Sequence, residues 1–125
     1  MQQKGHILVV EPNDLIRDLL GRWLGEAGYT VVVIEAAQQL PQTVGERGEP
    51  RLVIVDVPMP RGAEKIVQSV REAYAGPILL LSARQRRGTG SSNDVARQLG
   101  VCKVLPKPFT RVELLLALDE SIDGQ

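Results

Sequence analysis

Short aliphatic runs recur along this chain, and their spacing limits what it can fold into. They are Ile7–Val10 (ILVV), Thr30–Ile34 (TVVVI), Leu52–Val55 (LVIV), Ile78–Leu81 (ILLL) and Val101–Leu105 (VCKVL). Most are continuous rather than alternating, and they are rich in Val and Ile. Parallel strands covered on both faces read this way. Segments of helical period lie between them. Leu15, Ile16, Leu19, Leu20, Trp23 and Leu24 form one apolar stripe, with Asp14 as its expected cap and Gly28 as its stop. Ile66, Val67 and Val70 form a second stripe. Val112, Leu115, Leu116 and Ile122 form another, after Thr110 as a cap. The segment Ala37–Arg47 holds Pro41, which a helix accepts in its first turn. RQRRGTGSSND has loop composition, so the helix behind it is expected from about Asn93.

Strands alternating with helices imply an α/β fold, an open doubly wound parallel sheet with right-handed crossovers and helices on both faces, in three layers. A length of 125 residues suits a single domain over 1–125 with one core. Only 3% of residues are aromatic, so that core must be aliphatic. Fifteen basic residues balance fifteen acidic ones, which gives no net field favouring direct nucleic-acid binding. No apolar run reaches membrane-span length, MQQKGH is no signal peptide, and the single Cys102 fits a reducing cytoplasm. Cys102 reads as a small buried packing residue, His6 as a surface residue without a metal-binding companion, and Trp23 as core.

In such sheets the functional crevice lies at the carboxyl ends of the strands. The first run ends in Glu11, and Pro12 follows at once. The third ends in Asp56 and continues VPMP; the fourth ends in Ser82; the fifth leads through Pro106 to Lys107-Pro108-Phe109. Two carboxylates, a hydroxyl and an ammonium therefore converge on one rim. Two close acids repel and call for a proton or a cation, and Mg²⁺ suits oxygen donors. A carboxylate beside that ion and a lysine can attack a phosphoryl donor and form an acyl phosphate.

With these pieces in order, ILVV-E, LVIVD-VPMP, LLLSA and LPKPF, the chain resembles the receiver domain of two-component response regulators over essentially its whole length. The resemblance implies a flavodoxin-like sheet in the order 2-1-3-4-5. It implies Asp56 as phosphoacceptor, Ser82 as the companion hydroxyl, Lys107 as the lysine that contacts the phosphoryl group, and a cis bond at Lys107-Pro108. The implied metal ligands are Glu11, Asp56 and the backbone carbonyl of Pro58. The implied partner is a histidine kinase or phosphotransfer protein, and signalling would run through the face of the fourth helix, fifth strand and fifth helix to an output domain or a homodimer. A receiver is a signalling domain rather than an enzyme.

The chain departs from the family's pattern at definite positions. Receivers usually end the first strand with two adjacent acids, and Pro12 occupies the second place, so the Mg²⁺ site is expected to be weakened. Val104 stands where the family carries its switch Tyr or Phe. The loop after Ser82 is longer than usual and holds Arg84, Arg86 and Arg87; the loop after Met59-Pro60 is about one residue short. Plainer readings stand beside the sharp ones. Asp56 as a helix-capping carboxylate, Glu11 as a solvated rim acid, Lys107 as a structural ion pair and Ser82 as a local backbone partner are all consistent with the residues alone. So is a pseudo-receiver, a protein-interaction module that works without phosphate. A nucleotide- or flavin-binding protein or hydrolase on the same fold is disfavoured, because G-x-x-x-x-G-K-[ST], G-x-G-x-x-G and G-x-S-x-G are absent.

Overall fold

The computed structural model describes residues 5–57, 62–82 and 92–123, the side chains of 92–95 excepted. Strands and helices alternate: β1 (His6–Val10), α1 (Asp14–Glu26), β2 (Thr30–Ile34), a 3₁₀ turn (Ala37–Gln39) running into α2 (Leu40–Arg47), β3 (Leu52–Val57), α3 (Ala63–Ala73), β4 (Ile78–Ser82), α4 (Ser92–Leu99), β5 (Lys103–Pro106) and α5 (Arg111–Asp123). All strand pairs are parallel, and the order is β2-β1-β3-β4-β5. The expected doubly wound sheet is therefore present.

Side chains alternate across a strand, so each aliphatic run feeds two cores. Ile7, Val9, Leu52, Ile54, Leu79 and Leu81 pack with Leu20 and Leu24 of α1 and Leu114, Ala117 and Leu118 of α5. Leu8, Val10, Val53, Val55, Ile78 and Leu80 pack with Leu40 of α2, Val67 and Val70 of α3 and Ala96 of α4. This double coverage is why the runs are continuous rather than alternating.

Several boundaries differ from the expectation, each for a local reason. Asn13, not Asp14, caps α1: its Oδ1 accepts the Ile16 N–H at 3.1 Å, and Asp14 is already helical. Gly28 does stop α1, at φ +101°, a left-handed conformation that glycine adopts without strain. Pro41 sits in the first turn of α2 as expected, while the preceding 3₁₀ turn is tied by Gln39 Oε1, which accepts the N–H groups of Glu35 and Ala36. The fifth strand begins at Lys103, so Cys102 is exposed instead of packed. On α5 the buried face carries Leu114, Ala117, Leu118 and Ser121, whereas Val112 and Leu116 of the expected stripe are exposed. Thr110 caps α5 in a reciprocal pair with Glu113. Trp23 is partly buried against the α1/α5 core, with its ring edge-on to Phe109 at 6.3 Å.

The amino ends of the strands are closed by α3. Tyr74 is 3% exposed and its hydroxyl donates to the Pro50 carbonyl at 3.1 Å. Burial and the Glu49 charge, against the opposing pull of Arg71, push its phenol up to about 12, so it remains a donor across the neutral range. Arg71 donates to the carbonyls of Tyr74, Gly76 and Gly100. Together these bonds tie the segments that lead into β3, β4 and β5.

Candidate functional site

Parallel strands deliver their last residues to one rim, and the register fixes which of them become neighbours. Asp56 is the penultimate residue of β3 and pairs with Leu81; Val57 pairs with Ser82, and Ser82 with Pro106. Lys107 follows β5, where its N–H donates to the Ser82 carbonyl at 2.8 Å. That bond holds the loop beside β4, and the Lys107-Pro108 peptide within it is cis, as expected. From this position the Lys107 ammonium reaches back across the sheet and donates to Asp56 Oδ1.

Glu11 enters from the neighbouring strand. Its N–H donates to the Ile34 carbonyl at 3.0 Å, which extends the pairing of β1 with β2 by one residue and fixes where the side chain starts. Glu11 is 1% exposed, so it is no solvated rim acid. Its Oε2 accepts the Asn13 N–H at 3.1 Å, and its Oε1 is buried with no hydrogen-bond partner among the described residues. Burial pushes the Glu11 carboxyl above its ordinary range; the Asn13 N–H pulls it down, the Asp56 charge pushes it up, and Lys107 and Arg17 pull it down. Asp56 and Ser82 are also buried, at 9% and 7% exposure.

Pro12 does not merely delete an acid. Beside Asp56 a cavity of about 340 Å³ is lined by Pro12, Val10, Val55, Ala36, Lys65 and Ile66, among others. Pro12 stands where a second acid was expected, and the lining mixes aliphatic side chains with Asp56, Glu35, Gln38, Ser69 and Lys65. That Lys65 lines this cavity was not visible in the sequence, because α3 read only as an apolar stripe.

The described residues fit a cation in chemistry, though with few ligands. Glu11 and Asp56 offer only oxygen donors, which Mg²⁺ prefers, and the unpartnered Glu11 Oε1 is a buried anionic atom that a cation would satisfy. Among the described residues no group of three or more His, Cys, Asp or Glu side chains assembles that could hold a metal ion. Pro58, whose carbonyl was the expected third ligand, lies outside the described residues, as do the arginine-bearing loop at 84–87 and the segment 58–61.

Known proteins resemble this arrangement. The family model described as the response regulator receiver domain matches residues 7–119. The protein PetR of Rhodobacter capsulatus is 32% identical over 115 residues, which cover 91% of this chain and 47% of that protein. The transcriptional regulatory protein PdtaR of Mycobacterium tuberculosis is 32% identical over 118 residues, covering 93% of this chain and 56% of that protein. The chain thus spans about half the length of these curated relatives. Among solved structures, the chemotaxis protein CheY4 of Vibrio cholerae superposes with a TM-score of 0.68 at 20% identity, covering 93% of this chain and 97% of that one. At that identity the likeness shows the fold.

Proposed function

The chain belongs to the response regulator receiver family of two-component signalling, and from that membership we propose that Asp56 accepts a phosphoryl group from the phosphohistidine of a histidine kinase or phosphotransfer protein. The observation that carries this reading is the Lys107–Asp56 ion pair, formed between residues 51 apart in sequence, with Glu11 and Ser82 buried on the same rim.

Receiver domains generally bind Mg²⁺ at an acidic pocket and work with kinases and output domains rather than as enzymes. In this chain Glu11, Asp56 and the Pro58 carbonyl would hold the ion, which would offset charge on the transferring phosphoryl oxygens. The remaining work falls to protein groups. An Asp56 oxygen attacks phosphorus, the P–N bond to the donor imidazole breaks, and the imidazole leaves with the bonding pair and takes up a proton. Lys107 orients the carboxylate beforehand and pairs with a phosphoryl oxygen afterwards. The Ser82 hydroxyl donates to another. The change would reach an output domain or a second receiver through the face of α4, β5 and α5. Among the described residues no helix is long and apolar enough to cross a membrane; we place the domain in the cytoplasm, where the phosphodonor would meet it.

A second reading, a phosphate-independent interaction module, is favoured by Pro12 at the cavity beside Asp56 and by Val104, which is 3% exposed and packed into the α2/α3/α4 core. A valine there has no ring to swing between inward and outward positions. Intact-mass spectrometry after incubation with a small phosphodonor, with and without Mg²⁺, separates the two. A Mg²⁺-dependent gain of one phosphoryl mass in the wild type and none in Asp56→Asn supports the phosphoacceptor. No gain in the folded wild type from either a small donor or a phosphorylated kinase supports the module.

A further inference from the structure

The cavity beside Asp56 carries more than a phosphoryl group needs. Its floor is aliphatic. Val10 and Val55 are register partners at the ends of β1 and β3, Asp56 follows Val55 on its strand, Pro12 stands just beyond β1, and Ile66 joins them from α3. Small side chains, Ala36 and Ala37, border the space and leave it open. Lys65 and Ser69 stand one helical turn apart on α3, so they share a face, and both line the cavity. Lys65 is exposed, and among the described residues no ion pair engages it. Glu35, the other acid on the lining, lies 3.8 Å from Arg17. The volume of about 340 Å³ falls within the range of small-molecule sites, about 300–1,000 Å³.

We propose that this cavity selects acyl phosphates as small phosphodonors to Asp56, with the acyl chain on the aliphatic floor and the leaving carboxylate against Lys65. The proposal rests on Asp56 as the acceptor and adds the class of donor. Attacking and leaving oxygens lie in line across phosphorus, so a donor that meets Asp56 from the cavity side projects its leaving group away from that carboxylate, into the cavity. An Asp56 oxygen forms the new bond to phosphorus. The bond from phosphorus to the bridging oxygen breaks, and that oxygen keeps the electron pair as part of a free carboxylate, with no proton transferred. The charge that develops there calls for a cation already in place, and Lys65 is the cation on the lining. The proline ring at position 12 gives the chain an apolar contact where a carboxylate would repel the leaving group. Phosphoramidate releases ammonia, which carries neither an acyl chain nor negative charge, so it gains nothing from the floor or from Lys65.

The test compares initial rates of phosphoryl uptake by intact mass, with Mg²⁺ present, from acetyl phosphate, butyryl phosphate and phosphoramidate, in wild type, Lys65→Gln and Lys65→Arg. Lys65 is exposed, which lets the variants fold normally. Butyryl phosphate carries two further CH₂ groups, and their burial should favour it over acetyl phosphate by roughly tenfold in kcat/KM. Lys65→Gln should slow uptake from both acyl phosphates by roughly tenfold or more relative to phosphoramidate, and Lys65→Arg, which keeps the charge, should recover most of that loss. Uptake from butyryl phosphate no faster than from acetyl phosphate, or an equal slowing of all three donors in Lys65→Gln, overturns the proposal and leaves Asp56 as the acceptor. No uptake from any of the three removes Asp56 as the acceptor, and the proposal with it.

Discussion

At the amino ends of β3, β4 and β5, Tyr74 and Arg71 hand their donors to the carbonyls of Pro50, Gly76 and Gly100, and the loops are knitted to α3. At the carboxyl ends, three polar side chains are buried nearly as deeply, yet among the described residues Glu11 keeps an oxygen without a partner beside the paired Asp56 and Lys107. The same strands supply both ends. The difference lies in what each end is completed by. Buried polar groups ordinarily find partners within the chain, and the lower clasp does so. Among the described residues the rim leaves one carboxylate oxygen unsatisfied, an anionic acceptor of the kind a divalent cation would satisfy.

Removing the clasp should have the largest effect. Tyr74→Ala deletes a buried aromatic ring and its bond to Pro50, and should cost about 3–5 kcal/mol of stability in urea unfolding. The acceptor rim should keep its phosphorylation behaviour under conditions where the variant is folded. A loss below about 1 kcal/mol would show that the clasp is decorative. Altered phosphoryl uptake by the folded variant would show that the two ends communicate.

Gly76 tests the clasp more gently. A Cβ at this position would overlap the Tyr74 hydroxyl and the ring carbon that bears it, so Gly76→Ala must displace the side chain from Pro50. The expected cost is about 1–3 kcal/mol, and adding Tyr74→Phe should make the two changes strongly non-additive because they break one contact. Additive losses would place the strain elsewhere.

How much of this could be read beforehand differs between the two ends. The elements and the rim residues Glu11, Asp56, Ser82 and Lys107 followed from aliphatic runs and from what stands directly behind each run, while the strand order came from the family resemblance. The clasp had no such signature, because Arg71 and Tyr74 act on carbonyls, which every residue carries. On α5, Val112, Leu114, Leu115, Leu116, Ala117 and Leu118 are apolar almost without interruption, so period could not choose a face. The buried side includes Ser121, which satisfies itself on the Ala117 carbonyl at 2.8 Å. The resemblance implied Lys107 as a phosphoryl contact and the plainer reading paired it with Asp56, whereas the burial of Glu11, the cavity beside Pro12 and the exposure of Cys102 came only from packing.

Pro12→Asp sharpens the comparison from the other side. It restores a carboxylate next to Glu11 and should tighten Mg²⁺ binding by about tenfold, since affinity for hard cations rises with the number of charged ligands. Trp23, the only tryptophan, lies against Phe109 in the segment just after Lys107 and gives a fluorescence readout. Without Mg²⁺ the same variant should be less stable than wild type, because three acids would then share the rim. Unchanged affinity would mean that Glu11 and Asp56 already supply all the charge the ion uses.

The smallest expected effect isolates the unpaired oxygen itself. Burial raises the Glu11 carboxyl above its ordinary value of 4.5, so the folded protein holds that proton more tightly than the unfolded chain does. Below 4.5 both states are protonated and the group's contribution to stability is fully present. As pH rises through the raised value, the folded protein must ionise a buried carboxyl, and the contribution is lost. Glu11→Gln removes the charge while nearly preserving shape, and should therefore stabilise the metal-free protein at neutral pH by no more than about 1 kcal/mol, since the amide still lacks a full set of partners. The advantage should shrink as pH falls towards 4.5 and should reverse when Mg²⁺ is added, because the amide is a poorer ligand than the carboxylate it replaces. Urea unfolding at several pH values, with a chelator and then with Mg²⁺, measures both trends. A stabilisation that ignores Mg²⁺ would mean that the oxygen left open on the rim is not a metal ligand, and would favour the phosphate-independent module.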